Sequence, residues 1–156
     1  MQYIEAPSVT EPIQTSVFLG GGISGCPDWQ AYVVKRLVGH PMSIFNPRRK
    51  HFPMGDPDAD RVQIPWEFKR LQKAHINAYW FAKETVNPIA IGEYFESLAR
   101  GDLLVVGIDP GYTRQIDIEM RFELYGHDPK EIVFTLDAFA DRILQVLTLF
   151  NSRRVA

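Results

Sequence analysis

At 156 residues and a formal net charge of −2, the chain suits one domain with a substantial core, and it has no basic excess of the kind that marks nucleic-acid binders. Its basic residues form one run of three, Arg48-Arg49-Lys50, and otherwise pairs such as Arg153-Arg154, and no apolar run nears the length of a bilayer, so neither nucleic acid nor membrane is an expected partner. The single cysteine, Cys26, excludes a disulfide framework and fits a reducing compartment, and the first residues lack a basic stretch followed by an apolar one; a cytoplasmic protein is expected.

Residues 1–15, punctuated by proline and glutamate, read as an extended N-terminal arm, residues 16–150 as the domain, and residues 151–156 as a C-terminal tail. Ser16 to Leu19 is a short apolar strand followed by Gly20-Gly21-Gly22-Ile23-Ser24-Gly25, and Pro27 to Val38 carries apolar residues at helical spacing. Met42 to Phe45 is a second strand. The stretch from Asn46 to Pro65, with four prolines, reads as a long functional or flexible loop. Trp66 to Ala74 reads as a helix and Ile76 to Phe81 as the third strand. Asn87-Pro88 has the chemistry of a helix start, an Asx N-cap and then proline, and that helix runs to Ala99 before Gly101 ends it. A fourth strand (Leu103 to Val106), a helix (Asp117 to Tyr125), a fifth strand (Glu131 to Thr135) and a final helix (Asp137 to Phe150) complete the pattern. Strands alternating with helices imply right-handed crossovers, so the expected fold is α/β: a single-domain, Rossmann-like or flavodoxin-like three-layer sandwich on a five-stranded parallel sheet.

The turn after the third strand is where an open parallel sheet presents ligand-binding groups, and it puts Glu93 one and a half turns into the next helix. Glu93 and Glu96 lie on neighbouring positions of one helix face, and two close carboxylates resist ionising together, which suits an acid and nucleophile pair; Glu96 reads rather as a solvated surface residue. Gly20, Gly22 and Gly25 satisfy G-x-G-x-x-G between a strand and a helix, read either as a tight turn or as a backbone approach to a sugar or phosphate. A dinucleotide fits poorly, because Asn46-Pro47-Arg48-Arg49 stands where a ribose-binding carboxylate belongs. Arg48 and its neighbours suit a phosphate or a solvated basic turn. Asp56, Asp58, Asp60 and Glu67 match calcium-loop spacing, yet Arg61 occupies the obligatory glycine position, so no metal site is expected. Cys26 reads as a small buried residue and His75 as a structural histidine that titrates near neutrality.

Several motifs, in order and spacing, resemble the nucleoside 2-deoxyribosyltransferase-like proteins and the related deoxynucleoside 5'-monophosphate N-glycosidases. They are Val17 to Gln30, Asn46 to Arg49, Gln63-Ile64-Pro65-Trp66-Glu67, Tyr79-Trp80-Phe81, Pro88 to Glu93, Val105 to Tyr112 and Asp117-Ile118-Glu119. The resemblance implies a retaining double displacement. Glu93 would attack C1' of a 2'-deoxyribosyl group and hold it covalently until another base or water takes the sugar, without a cofactor. It also implies that Gly22, Ser24 and Gly25 line the sugar, that Asp28 and Arg48 contact substrate, that Trp29, Trp80 or Tyr112 stack on the base, and that the protein is a homo-oligomer. This chain departs from the family at His75, where aspartate is common, and at Asn87, where aspartate or serine is. The proton donor is therefore open between His75, Glu96 and Asp117, with Asn87 as a hydrogen-bonding group in the catalytic set. The rival readings are a non-catalytic nucleotide-binding protein of the same fold and, on the glycine pattern, a dinucleotide-binding module.

Overall fold

The structure, a computed structural model, describes residues 1–53 and 55–155, the last of these in its backbone only. Met54, in the long connection, and Ala156, in the expected tail, lie outside the described residues.

Five strands form one parallel sheet: β1 (Gln2–Glu5), β2 (Ser16–Gly21), β3 (Ser43–Asn46), β4 (Ile76–Phe81) and β5 (Leu104–Ile108), in the spatial order β1-β3-β2-β4-β5. Five helices cover it: α1 (Trp29–Leu37), α2 (Ala59–Lys73), α3 (Pro88–Arg100), α4 (Gln115–Leu124) and α5 (Leu136–Val155). The expected three-layer α/β sandwich is the observed one. Alternation along the strands sends Phe18, Phe45, Tyr79, Phe81 and Val106 to one face, where Trp66 and Leu71 of α2, Tyr94 and Leu98 of α3, and Ile118 and Phe122 of α4 pack on them. Val17, Leu19, Ile44, Ala78, Trp80 and Val105 face the other way, against Trp29, Val33 and Leu37 of α1 and Phe139, Ile143 and Leu147 of α5. Both faces are thus buried, which is why the central strands read as unbroken apolar runs.

The membership of the sheet differs from expectation at both ends. Residues 2–5, expected in an arm, form the edge strand β1, bonded to β3 along its length (Gln2 N–H to the Met42 carbonyl, 2.8 Å). The expected strand at Glu131 to Thr135 shrinks to one parallel bridge between Val133 and Gly107. A 3₁₀ turn at Pro129–Glu131 and the Thr135 hydroxyl, which accepts from the Ala138 N–H at 3.1 Å to start α5, leave too few residues between them for a strand. Helix α5 continues to Val155, through the residues expected as a tail. Helix α2 begins at Ala59, so Pro65 lies inside it.

Each chain segment that leaves a strand does so at the same edge, and the direction reverses between β2 and β4: β2 leads to α1 on one face, β4 to α3 on the other. Such a reversal opens a crevice outside the carboxyl ends of the strands, which is where parallel α/β folds take ligands.

Candidate active site

Two loops meet at this crevice, the one after β2 (residues 22–28) and the one after β4 (residues 82–87). A Cβ on Gly22 would overlap Asn87 Oδ1 and Cys26 Sγ, so only glycine lets the two loops touch. Cys26 Sγ lies 3.6 Å from Thr85 Oγ1 and 3.7 Å from Asn87 Oδ1. Asn87, buried, takes the left-handed conformation (φ 53°), and its side chain does not cap α3 as expected. Its Nδ2 donates instead to the carbonyls of Ala82 (2.8 Å) and Thr85 (3.0 Å) and pulls the loop closed. Gly20 is equally constrained, because an added Cβ would sit 2.6 Å from the Tyr79 ring. The first two glycines of the pattern therefore serve close internal packing, while Gly25 (φ +73°) and Ser24 are exposed at the loop tip.

Beyond this wall, on the α2/α3 side, Glu93 lies part-buried on the second turn of α3. No hydrogen bond or ion pair to a described residue engages its carboxyl. Burial first, then the charges of Glu67 and Glu96, push its pKa from 4.5 up to about 8. Glu67, on α2 and outside the expected site residues, is the group whose charge reaches Glu93. Part-buried, it is also raised by burial, and it accepts a 2.8 Å hydrogen bond from Gln63 Nε2 one turn earlier. Gln63 Nε2 also donates to the Pro47 carbonyl at 3.0 Å, tying α2 to the end of β3. The signal that would have found Glu67 is the Gln63/Glu67 spacing of four on a helix, hidden because the helix was expected to start only at Trp66. Glu96, by contrast, is committed to Arg100 in an ion pair at the surface. Beneath Glu93 lies the buried phenol of Tyr79, hydrogen-bonded to Ser97 Oγ at 2.9 Å and raised well above its usual range by burial.

Other expected site residues fall elsewhere. His75 precedes β4, at the opposite edge of the sheet, about 20 Å of strand away from the crevice. Its Nδ1 accepts from the Ser16 N–H at 3.1 Å, its ring packs edge-on against Phe150, and burial lowers its pKa. Asp117 opens α4 in an ion pair with Arg114 (3.1 Å). Arg48 holds the carbonyls of Pro27 (2.8 Å) and Cys26 (2.9 Å) and reaches Asp28, which in turn caps α1 through the Ala31 N–H; both stiffen the glycine loop. Tyr112 is buried on Phe81 and donates to the Val86 carbonyl at 2.6 Å. Trp29, whose Nε1 donates to the Gly22 carbonyl at 2.9 Å, and Trp80 lie on the α1/α5 side, where with Tyr32, Glu84 and Phe134 they line a separate cavity of about 310 Å³ that Glu93 does not enter. Among the described residues no cluster of three metal-ligating side chains occurs, and no helix is long and apolar enough to cross a membrane.

Two carboxyls whose pKa values are both raised by burial, one of them also by the charge of the other, are harder to ionise together than apart. A pair that holds one proton can donate it from one group while the other attacks as an anion. A family model described as nucleoside 2-deoxyribosyltransferase like matches residues 14–112, which include Glu67, Glu93 and the wall between the loops. No curated protein matches the chain.

Proposed function

The chain belongs to the nucleoside 2-deoxyribosyltransferase-like family, and from that premise we propose that it cleaves the N-glycosidic bond of a 2'-deoxynucleoside or its 5'-monophosphate by way of a glycosyl-Glu93 ester. The observation that carries this reading is the part-buried Glu93 on the helix that follows β4, its pKa raised by burial and by the charge of Glu67 on α2. In the first step a Glu93 oxygen bonds to C1' as the C1'–N bond breaks. The bond's electron pair leaves on the base nitrogen, which takes the proton of Glu67. In the second step an incoming base N–H or a water attacks C1' and returns a proton to Glu67, and the ester oxygen leaves as the Glu93 carboxylate. The transition state carries positive charge on the sugar, and a carboxylate in part-buried surroundings stabilises that charge more than one in water would.

Product analysis by liquid chromatography with mass detection tests the reading. The four common deoxynucleosides and their 5'-monophosphates are incubated with and without an acceptor base. Exchanged nucleoside or free base is expected with the wild type, at a rate reduced on the order of 10²-fold or more in Glu67→Gln and abolished in Glu93→Ala. Product formation that persists in Glu93→Ala would overturn the mechanism. Ligand-induced thermal shifts without any product would favour a nucleotide-binding protein of the same fold.

A further inference from the structure

Trp29 and Trp80 are buried, yet both line the cavity of about 310 Å³ on the α1/α5 side, which Glu93 does not enter. Each indole has a glycine that makes room for it. A Cβ on Gly21, at the end of β2, would overlap Trp29, and one on Gly107, in β5, would overlap Trp80. Phe139 of α5 holds both rings, its centre 6.0 Å from that of Trp29 and 5.5 Å from that of Trp80, and the Trp29 Nε1 bond to the Gly22 carbonyl (2.9 Å) fixes the first indole further. Tyr32 of α1 and Phe134, 43% and 40% exposed, stand at the opening. The volume is at the lower end of the range of roughly 300–1,000 Å³ that small-molecule sites occupy, so an occupant is small.

The charged groups that line this cavity are all of one sign. They are Glu84, Asp109 and Asp137, and no described lysine, arginine or histidine lines it. Lys83 approaches Asp109 (3.6 Å) and Arg36 approaches Asp137 (3.4 Å) from outside, while the exposed Glu84 has no hydrogen bond or ion pair to a described residue. The start of α5 also faces the cavity, and a helix N-terminus favours an anion. That demand is met within the chain, by the Thr135 hydroxyl on the Ala138 N–H and by Asp137 in the first turn. A phosphate or a carboxylate is therefore repelled, whereas aromatic faces with carboxylates beside them attract a cation. We propose that this cavity is a second binding site, for a small flat ring that bears a cationic amino or amidinium group and lies among the four aromatic side chains with its charge toward Glu84.

The site is tied to the crevice through its own walls. Glu84 belongs to the same short loop as Thr85 and Asn87, which close against Cys26 and Gly22, and Trp29 is bonded to Gly22 itself. A ligand held between Trp29 and Glu84 thus braces both loops from the side away from Glu93. The inference goes beyond the glycosidic reading and stands without it, since Glu93 takes no part in the cavity.

The test uses three probes of one shape, benzamidinium, benzamide and benzoate, which are cationic, neutral and anionic. The three indole N–H signals of the chain in a ¹H–¹⁵N spectrum read the site. Trp66→Phe, or the contact of the Trp66 ring with Phe45 in a NOE spectrum, identifies the signal of Trp66, which lies on the other face of the sheet; the remaining two are the cavity's. Benzamidinium at millimolar concentration is expected to move the Trp29 and Trp80 signals and to leave that of Trp66 in place, benzamide to bind on the order of tenfold more weakly, and benzoate not to bind. Glu84→Gln, at an exposed position, is expected to weaken benzamidinium by roughly threefold or more and to leave benzamide unchanged. Equal affinities for the three probes, a preference for benzoate, movement of Trp66 alone, or no movement with benzamidinium each overturns the proposal. So does a Glu84→Gln protein that binds benzamidinium as the wild type does. None of these readings involves turnover, so a failed titration and a failed product assay are told apart.

Discussion

A carboxyl that costs free energy to ionise in the folded state should reveal itself in stability as well as in chemistry. With the Glu93 pKa moved from 4.5 to about 8, the site that Glu93 forms with Glu67 keeps a proton in the folded chain that the unfolded chain has lost between those values. The unfolded state binds fewer protons there, so this contribution to stability is fully present below about pH 4.5 and declines as the pH rises toward 8. Glu93→Gln removes the titration. Denaturant unfolding at pH 9 is therefore expected to find the variant more stable than wild type, by on the order of 2–4 kcal/mol, with the difference shrinking toward zero near pH 4.5. A pH-independent difference would mean that Glu93 is not desolvated. At this scale the sequence was legible in part. The place of Glu93 on its helix was legible because the Asn87-Pro88 start fixes it by local chemistry alone. The influence of Glu67 on it was not, since that arises from packing α2 beside α3. Residue type alone could not foretell that His75 accepts from the Ser16 N–H or that Arg48 serves the Cys26 carbonyl.

Among the elements, α3 carries an oddity beside its carboxylate. Gly92 is exposed in mid-helix, and a Cβ built there meets nothing within 4 Å. Glycine costs a helix roughly 0.5–1 kcal/mol relative to alanine through the entropy of the unfolded chain. Gly92→Ala is thus expected to raise the unfolding free energy by about that amount in a thermal or denaturant melt, and a loss of stability would show hidden crowding at the position. The central strands were legible because burial on both faces writes an apolar run into the sequence. Strand β1 was not, because it is an edge strand of four residues in which only Ile4 is buried while Tyr3 is 45% exposed. Its pairing is set by β3, far along the chain. In α2 a proline-rich, charged stretch concealed a helix start, since Pro65 inside the helix removes one backbone donor that the rest of the fold makes up for.

At the scale of the whole molecule, the segment after β1 is bound down by one side chain. Arg70 is buried, its guanidinium stacks 4.9 Å from the Phe45 ring centre, and it donates to the carbonyls of Thr10 (2.7 Å) and Ser8 (3.3 Å) and to Glu11 (3.2 Å). Trp66 Nε1 adds a 2.6 Å bond to the Ser8 carbonyl. Arg70→Ala is expected to free residues 8–13, so that limited proteolysis followed by mass analysis finds faster cutting there than in wild type while the 16–150 region persists. Equal cutting rates would place the restraint elsewhere. A strap of this kind is illegible in sequence, because its partners are backbone carbonyls, which every residue has.

The contact between the glycine loop and the β4–α3 loop also gives the molecule a built-in clock. Cys26 is the one thiol in the chain, and it is 8% exposed, shut between Gly22, Thr85 and Asn87. A thiol-specific reagent reaches it only while the two loops stand apart. Its labelling rate therefore counts those partings, and a compound that braces the crevice slows the count whether or not it is ever turned over.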